Sequence, residues 1–286
     1  MLNLDRQNTY RARYQATHPG WQTSGQVYES FVHRYIERHW DAVLPRVVRW
    51  LDVGCGRGGI VELLGGEVTL CVGADLDLAS LREHRAPHIR RVATPAEALP
   101  FADESFDLVT CSWVLEHLAD PRHAFSQIAR VLTAGGHWVF LTPNARYPLT
   151  LANRLIRGSL QARMVRRLYA RAESDTFPVR YRANTPARIT QLARQVGLRP
   201  VQMQLVGDPT YLAFNDALFA LSSLLERITP PGFRVHIVAD CIKPTHGDAS
   251  ATDSGCVGHR FGMRRPPIRD AAATDVEDSF SRRFAQ

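Results

Sequence analysis

The sequence predicts an α/β fold: a mostly parallel seven-stranded sheet with helices on both faces and a helical insertion after the fifth strand. Three observations predict it. From residue 47 to residue 143, short apolar stretches alternate with short amphipathic ones, the pattern of parallel strands joined by crossover helices. A stretch with four glycines, "LDVGCGRGGI" (51–60), stands between the first strand and its helix. An arginine-punctuated run, 145–183, then interrupts the alternation before it resumes.

Composition bounds this reading. A chain of 286 residues, 45% hydrophobic and 22% charged, buries a full core, and its length suits one elaborated domain. No stretch approaches the roughly 20 apolar residues of a membrane-spanning helix, and "MLNLDRQNTYRARYQ" has no apolar leader core. A cytoplasmic protein is expected. The five cysteines are scattered without a C-x-x-C pair, so neither a disulfide frame nor a metal site is indicated. The net charge is +7, yet Lys243 is the only lysine. Such arginine bias makes basicity weak evidence for a nucleic-acid partner, and none is expected.

The elements follow in order. Val27, Phe31, Ile36, Val43 and Leu44 mark a helix over 26–44, closed by Pro45. Strand 47–54, helix 60–64, strand 68–75, helix 77–85 and strand 89–93 come next, then strand 106–112, helix 121–132 and strand 137–143. Nine arginines, from Arg146 to Arg182, punctuate the insertion, among them Arg154, Arg163, Arg166 and Arg167. Helix 185–197 and strand 199–206 resume the pattern. A further helix carries Phe214, Leu218, Leu221, Leu225 and Ile228 at heptad-like spacing, expected to face the core. Strand 234–244 ends the fold. The domain expected is 26–244, preceded by a lid segment 1–25; the aliphatic-poor stretch 245–286 reads as a disordered tail.

In an open α/β sheet the first strand-to-helix loop meets the ligand. Gly54, Gly56 and Gly59 fit G-x-G-x-x-G, a spacing that several cofactors share. An acid at the end of the second strand, Asp75, is placed to hold ribose hydroxyls, and a dinucleotide enzyme uses the same device. Asp52 separates the readings, because its carboxylate would repel a pyrophosphate and attract a sulfonium or ammonium. With that acid, "LDVGCGRG" resembles the first motif of the class I S-adenosylmethionine-dependent methyltransferases. The resemblance continues through "GADLD" (73–77), "ALPFADESFDLV" (98–109), "SWVLEHL" (112–118) and "RVLTAGGHWVFLTPN" (130–144). It covers roughly residues 20–243 and is nearest the branch that includes ubiquinone-biosynthesis and other small-molecule methyltransferases.

The resemblance implies a Rossmann-like class I methyltransferase fold and S-adenosyl-L-methionine as cofactor. It places Gly54, Cys55 and Gly56 along the methionine part, Asp52 near its amino group, Asp75 on the ribose and Leu76 on the adenine. Ala96 and Glu97 would meet the adenine edge, although Pro95 stands where many relatives have Asp. Ser112 and Trp113 would flank the methionine portion. Thr133 and Ala134 replace a usual Lys-Pro or Arg-Pro in a turn. For an acceptor that needs deprotonation, His117 is the first candidate base and Tyr28 the second, with Asn144 and Tyr147 also near the expected mouth. A structural role for Glu116 and His117 at a helix start stands beside catalysis. Cys55 and Cys111 read as buried apolar residues.

The expected acceptor is a small molecule, a sugar, quinone or lipid-linked intermediate, methylated on oxygen or carbon. Tyr10, Tyr14, Trp21 and Tyr28 would roof its pocket, together with the insertion. "DTFPVRYRANTP" (175–186) resembles a segment of bacterial methyltransferases, some associated with glycan or lipid biosynthesis. The insertion's arginines would pair with an anionic group of the acceptor or touch an anionic membrane surface. Two alternatives remain. A nucleic-acid methyltransferase would carry an Asn/Asp-Pro-Pro-Tyr-like tetrad where "CSWV" stands. A non-catalytic scaffold would not need Asp52, Gly54, Gly56 and Asp75 intact.

Overall fold

A computed structural model of the chain describes residues 4–39, 48–148, 150–151, 177–210, 213 and 215–245. All lie in one unit, Met1–Ala249; the second unit, Ser250–Gln286, falls outside the described residues. So do Val43, Leu44, Pro45 and Phe214, most of the arginine-rich insertion and nearly all of the expected tail.

The elements are α1 (Leu4–Thr17), α2 (Ser24–His39), β1 (Arg49–Val53), α3 (Ile60–Leu64), β2 (Leu70–Asp75), α4 (Leu78–Arg82), β3 (Arg90–Ala93), β4 (Phe106–Ser112), α5 (Pro121–Val131) and β5 (Leu132–Pro143). After the insertion come α6 (Pro186–Gln195), β6 (Arg199–Val206), α7 (Asp216–Ile228) and β7 (His236–Ile242). The seven strands form one sheet in the order β3-β2-β1-β4-β5-β7-β6. Strand β7 runs against both neighbours and the other adjacent pairs are parallel. The carboxyl ends of β1, β2, β4 and β5 therefore share one edge, and strand order reverses between β1 and β4, where such sheets bind ligands.

Local chemistry starts the helices. Asp120 accepts from the His123 amide with Pro121 in the first turn, Asp77 accepts from Ala79 and Ser80, and Thr185 and Asn215 cap α6 and α7 in the same way. Neighbouring strand residues then serve opposite faces. Trp50, Leu108, Val139 and Val238 meet α2 through Val27, Phe31 and Val32. Leu51, Val109, Phe140 and Ala239 meet Phe125, Ile128 and Leu192 on the other side. Both faces are covered, as the expected fold class requires.

The segment 1–25 contains helix α1, whose Tyr10 stacks on Phe219 at 4.7 Å while Arg13 pairs with Asp216 at 2.6 Å. Two expectations are corrected in detail. Strand β5 begins at Leu132, five residues early, because a bulge lets Phe106 pair with Leu132 and Leu108 with His137. Finally, α7 does not turn its heptad-like series inward: Leu221 and Ile228, with Leu224, are exposed and Ser222 is its buried residue. Its contact with α1, through Phe219 and Asp216, leaves these three apolar side chains uncovered.

Asn144 holds the corner where β5 leaves the sheet. Fully buried, it donates to the Gly232 and Arg234 carbonyls at 3.2 and 2.8 Å and accepts from the Arg146 amide at 3.0 Å. These bonds assign it to the turn and away from proton transfer. Asn144→Ala is expected to cost about 2 to 3 kcal/mol, since a fully buried side chain loses three hydrogen bonds at the corner. Urea unfolding measures it.

Candidate active site

The chain leaves β1 through a turn in which Gly54 has φ +76°, and the Gly54 and Cys55 amides both donate to the Ala74 carbonyl, at 2.7 and 3.2 Å. A Cβ on Gly54 would overlap the Val114 Cγ2 methyl, so the turn and the segment after β4 approach each other only with glycine there. Cys55 buries its thiol against Gly73. Burial raises the thiol pKa values of Cys55 and Cys111 well above the ordinary range, so neither is a nucleophile.

Asp52 lies beneath this turn, buried, with its Oδ1 accepting from the Thr110 hydroxyl at 2.6 Å; that hydroxyl in turn accepts from the Trp50 indole at 2.7 Å. Burial pushes the Asp52 carboxyl up to about 7, against the Thr110 hydrogen bond, and Asp75 pushes in the same direction. Tyr28, on α2, brings a buried hydroxyl towards Asp52 and Thr110 without a hydrogen bond of normal geometry. Burial raises its pKa well above 10, so this phenol keeps its proton at neutral pH. Tyr147 is likewise pushed up to about 12, by burial first.

At the end of β2, Asp75 accepts from the Gly56 amide at 2.7 Å and the Asp77 amide at 2.8 Å. It braces the glycine turn while keeping lone pairs for a further donor. Leu76 beside it is 59% exposed. Ala96 is buried nearby in the chain, but Glu97 turns its Oε1 to the Ala119 and Asp120 amides, so its carboxylate braces that loop. Ser112 ends β4. Trp113 follows with φ +60° and 44% exposure, its ring edge-on to His236 at 5.0 Å. A left-handed tryptophan is strained, and such strain concentrates at functional sites.

His117 sits in a turn ahead of α5, whose start is Asp120, so no helix begins at "EHL". Its Nδ1 meets the Pro178 carbonyl at 3.3 Å; a carbonyl only accepts, so Nδ1 carries the proton and Nε2 the lone pair. That Nε2 is 3.9 Å from Glu116 Oε1. Burial lowers the His117 pKa and pushes the Glu116 carboxyl up to about 7. Glu116 Oε2 accepts from Thr142, whose hydroxyl accepts from Asn184 at 2.5 Å. Thr142 and Asn184 lie in stretches that the sequence singles out, but nothing there pairs them with Glu116; they join because β5 ends beside the close of the insertion.

Residues 51–140 match the methyltransferase domain family, and they span the turn, both acids, β2 to β4 and most of β1 and β5. This segment is a class I S-adenosylmethionine-dependent methyltransferase domain. The domain is similar to an uncharacterized methyltransferase of Bacillus subtilis, 34% identical over 100 residues, 32% of this chain and 40% of that protein. A demethylmenaquinone methyltransferase of Mycobacterium sp. (strain KMS) is 34% identical over 132 residues, 45% of this chain and 57% of the other. A ubiquinone biosynthesis O-methyltransferase of Alkalilimnicola ehrlichii is 40% identical over 106 residues, 34% and 42% of the two chains. The matches span about half the length of these relatives. Among solved structures, geranyl diphosphate C-methyltransferase of Streptomyces coelicolor A3(2) shares the methyltransferase fold with TM-score 0.51 at 15% identity, over 75% of this chain and 77% of that one. No helix among the described residues is long and apolar enough to cross a membrane.

Proposed function

We propose that the protein transfers a methyl group from S-adenosylmethionine to a small-molecule acceptor, a sugar, quinone or lipid-linked intermediate. One observation carries the reading: a buried acid, Asp52, lies under a glycine turn that Asp75 clamps at 2.7 Å through the Gly56 amide. The names of the quinone-pathway relatives support a small acceptor.

The cofactor supplies an electrophilic methyl group on sulfonium. The turn's backbone at Gly54, Cys55 and Gly56 would hold the methionine part, Asp52 would attract its ammonium, and Asp75 would take the ribose hydroxyls. Leu76 and Ala96 would flank the adenine, while Ser112 and the Trp113 ring would wall the methionine end. Glu97 acts at one remove, through the loop it braces. Since displacement at the methyl carbon is in line, the chief task of these walls is to align the acceptor and exclude water. His117, held neutral by burial with its Nε2 lone pair exposed to Glu116, accepts the proton of a hydroxyl acceptor, and Tyr28 donates a hydrogen bond.

Isothermal titration with S-adenosylhomocysteine and, separately, NADH tests the cofactor. Micromolar binding of the first alone is expected; binding of NADH alone would overturn it. Asp75→Ala is expected to weaken S-adenosylhomocysteine by about 1 to 3 kcal/mol, because charge-assisted hydrogen bonds are lost. Unchanged affinity would remove the ribose role.

A further inference from the structure

A cavity of about 530 Å³ opens between the α1–α2 corner and the end of β6; Tyr14, Trp21, Gln204, Glu226, Arg227 and Arg234 are among its lining residues. Its inner wall reaches the cofactor end of the sheet by two routes. Val206 pairs with His236, whose ring contacts Trp113 at 5.0 Å, and Val27 precedes Tyr28, which faces Asp52. Through Val206 and Val27 the cavity, which Tyr14 of α1 also lines, is linked by one intervening residue to Trp113 and by one step of chain to Tyr28.

The lining is chemically mixed. Glu226 lies over Gly207, where a Cβ would overlap its carboxylate, and is nearly buried. Arg234 stands 3.7 Å from that carboxylate and donates to the Leu205 carbonyl at 3.4 Å. Tyr14 lines the cavity together with Glu226, Arg227 and Arg234. With Arg234 answered by Glu226, Arg227 is the remaining cation of the lining, and a phosphate or carboxylate would meet an acid as well as donors. A quinone ring with an apolar tail would leave most of these polar groups unpaired, at a cost for each. Hydroxyls both donate and accept, so they suit carboxylate, guanidinium and amide together. The C–H face of a sugar ring suits the half-buried Trp21 beside Tyr14, 5.0 Å away edge-on. We infer that this cavity is the acceptor subsite and that it takes a hydroxyl-rich acceptor, a sugar ring, seated on Trp21 and hydrogen-bonded to Glu226 and Gln204. The inference rests on the methyltransferase reading.

Saturation-transfer NMR of the full chain with S-adenosylhomocysteine tests it, using methyl α-D-glucopyranoside, methyl α-D-mannopyranoside and methyl α-L-rhamnopyranoside, with menadiol and inorganic phosphate as rivals. Transfer to the ring protons of at least one glycoside is expected. Trp21→Ala and, separately, Glu226→Gln should each reduce it about fivefold, the equivalent of one hydrogen bond or contact, without altering S-adenosylhomocysteine affinity. Gln204→Ala, at an exposed position, stands in if either variant fails to fold. Transfer to no glycoside, binding by menadiol or phosphate alone, or a signal indifferent to these substitutions would overturn the inference. Failure of S-adenosylhomocysteine to bind strikes instead at the methyltransferase reading.

Discussion

Asp52→Asn is expected to raise the melting temperature of the cofactor-free protein at pH 8 and to weaken S-adenosylmethionine binding at the same pH. Both follow from a carboxyl that burial pushes up to about 7 from 3.8. Above the unfolded value the unfolded chain has released this proton while the folded chain retains it. The carboxyl's contribution to stability is therefore fully present below about pH 4, declines as pH rises, and is lost above about 7. At roughly 1.4 kcal/mol per pKa unit, the buried charge costs about 4 kcal/mol at pH 8, which asparagine avoids. A gain of several degrees at pH 8, fading below pH 5, is expected by calorimetry. Binding moves the other way. The carboxylate attracts the cationic methionine end, so wild-type affinity should fall up to tenfold per pH unit below 7 and Asp52→Asn should flatten that dependence. Titrations at pH 6, 7 and 8 decide; parallel profiles for the two proteins would remove Asp52 from the cofactor site.

Gly54→Ala is expected to abolish measurable cofactor binding and to destabilise the fold by about 1 to 3 kcal/mol, the strain of a non-glycine residue held at positive φ. Two separate penalties act there. The backbone sits at φ +76°, and the added Cβ overlaps Val114 Cγ2. Gly54→Ala combined with Val114→Ala should relieve the overlap and recover part of the stability, leaving the backbone strain. Gly56→Ala serves as the control, because its Cβ would meet nothing within 4 Å although φ is +52°. Comparable losses at Gly54 and Gly56, with no recovery in the double variant, would show that the approach of Val114 is unimportant.

Much of the site was legible because its signals are local. Four glycines after an apolar strand announce a turn that must pass close to something. An acid two residues ahead of them and another at the end of the next strand announce what kind of ligand. Tyr28 could not be assigned in the same way: it lies 24 residues before Asp52, and only the packing of α2 on the sheet shows its hydroxyl burying towards that acid. Glu97 was legible as a polar residue near the adenine edge, but its partners, the Ala119 and Asp120 amides, come from a loop after the next strand.

By itself the sequence determined the alternation of strands and helices, the capped starts of α4, α5, α6 and α7, the glycine turn and the two acids beside it. Period-two burial, side-chain caps and glycine dihedrals act within a few residues, so they are written in short stretches of chain. Only the tertiary structure decided that β7 enters antiparallel between β5 and β6, that α7 leaves Leu221, Leu224 and Ile228 exposed, and that Glu116, Thr142 and Asn184 join beside His117. Those outcomes depend on which distant elements become neighbours, and that is set by the summed packing of both sheet faces.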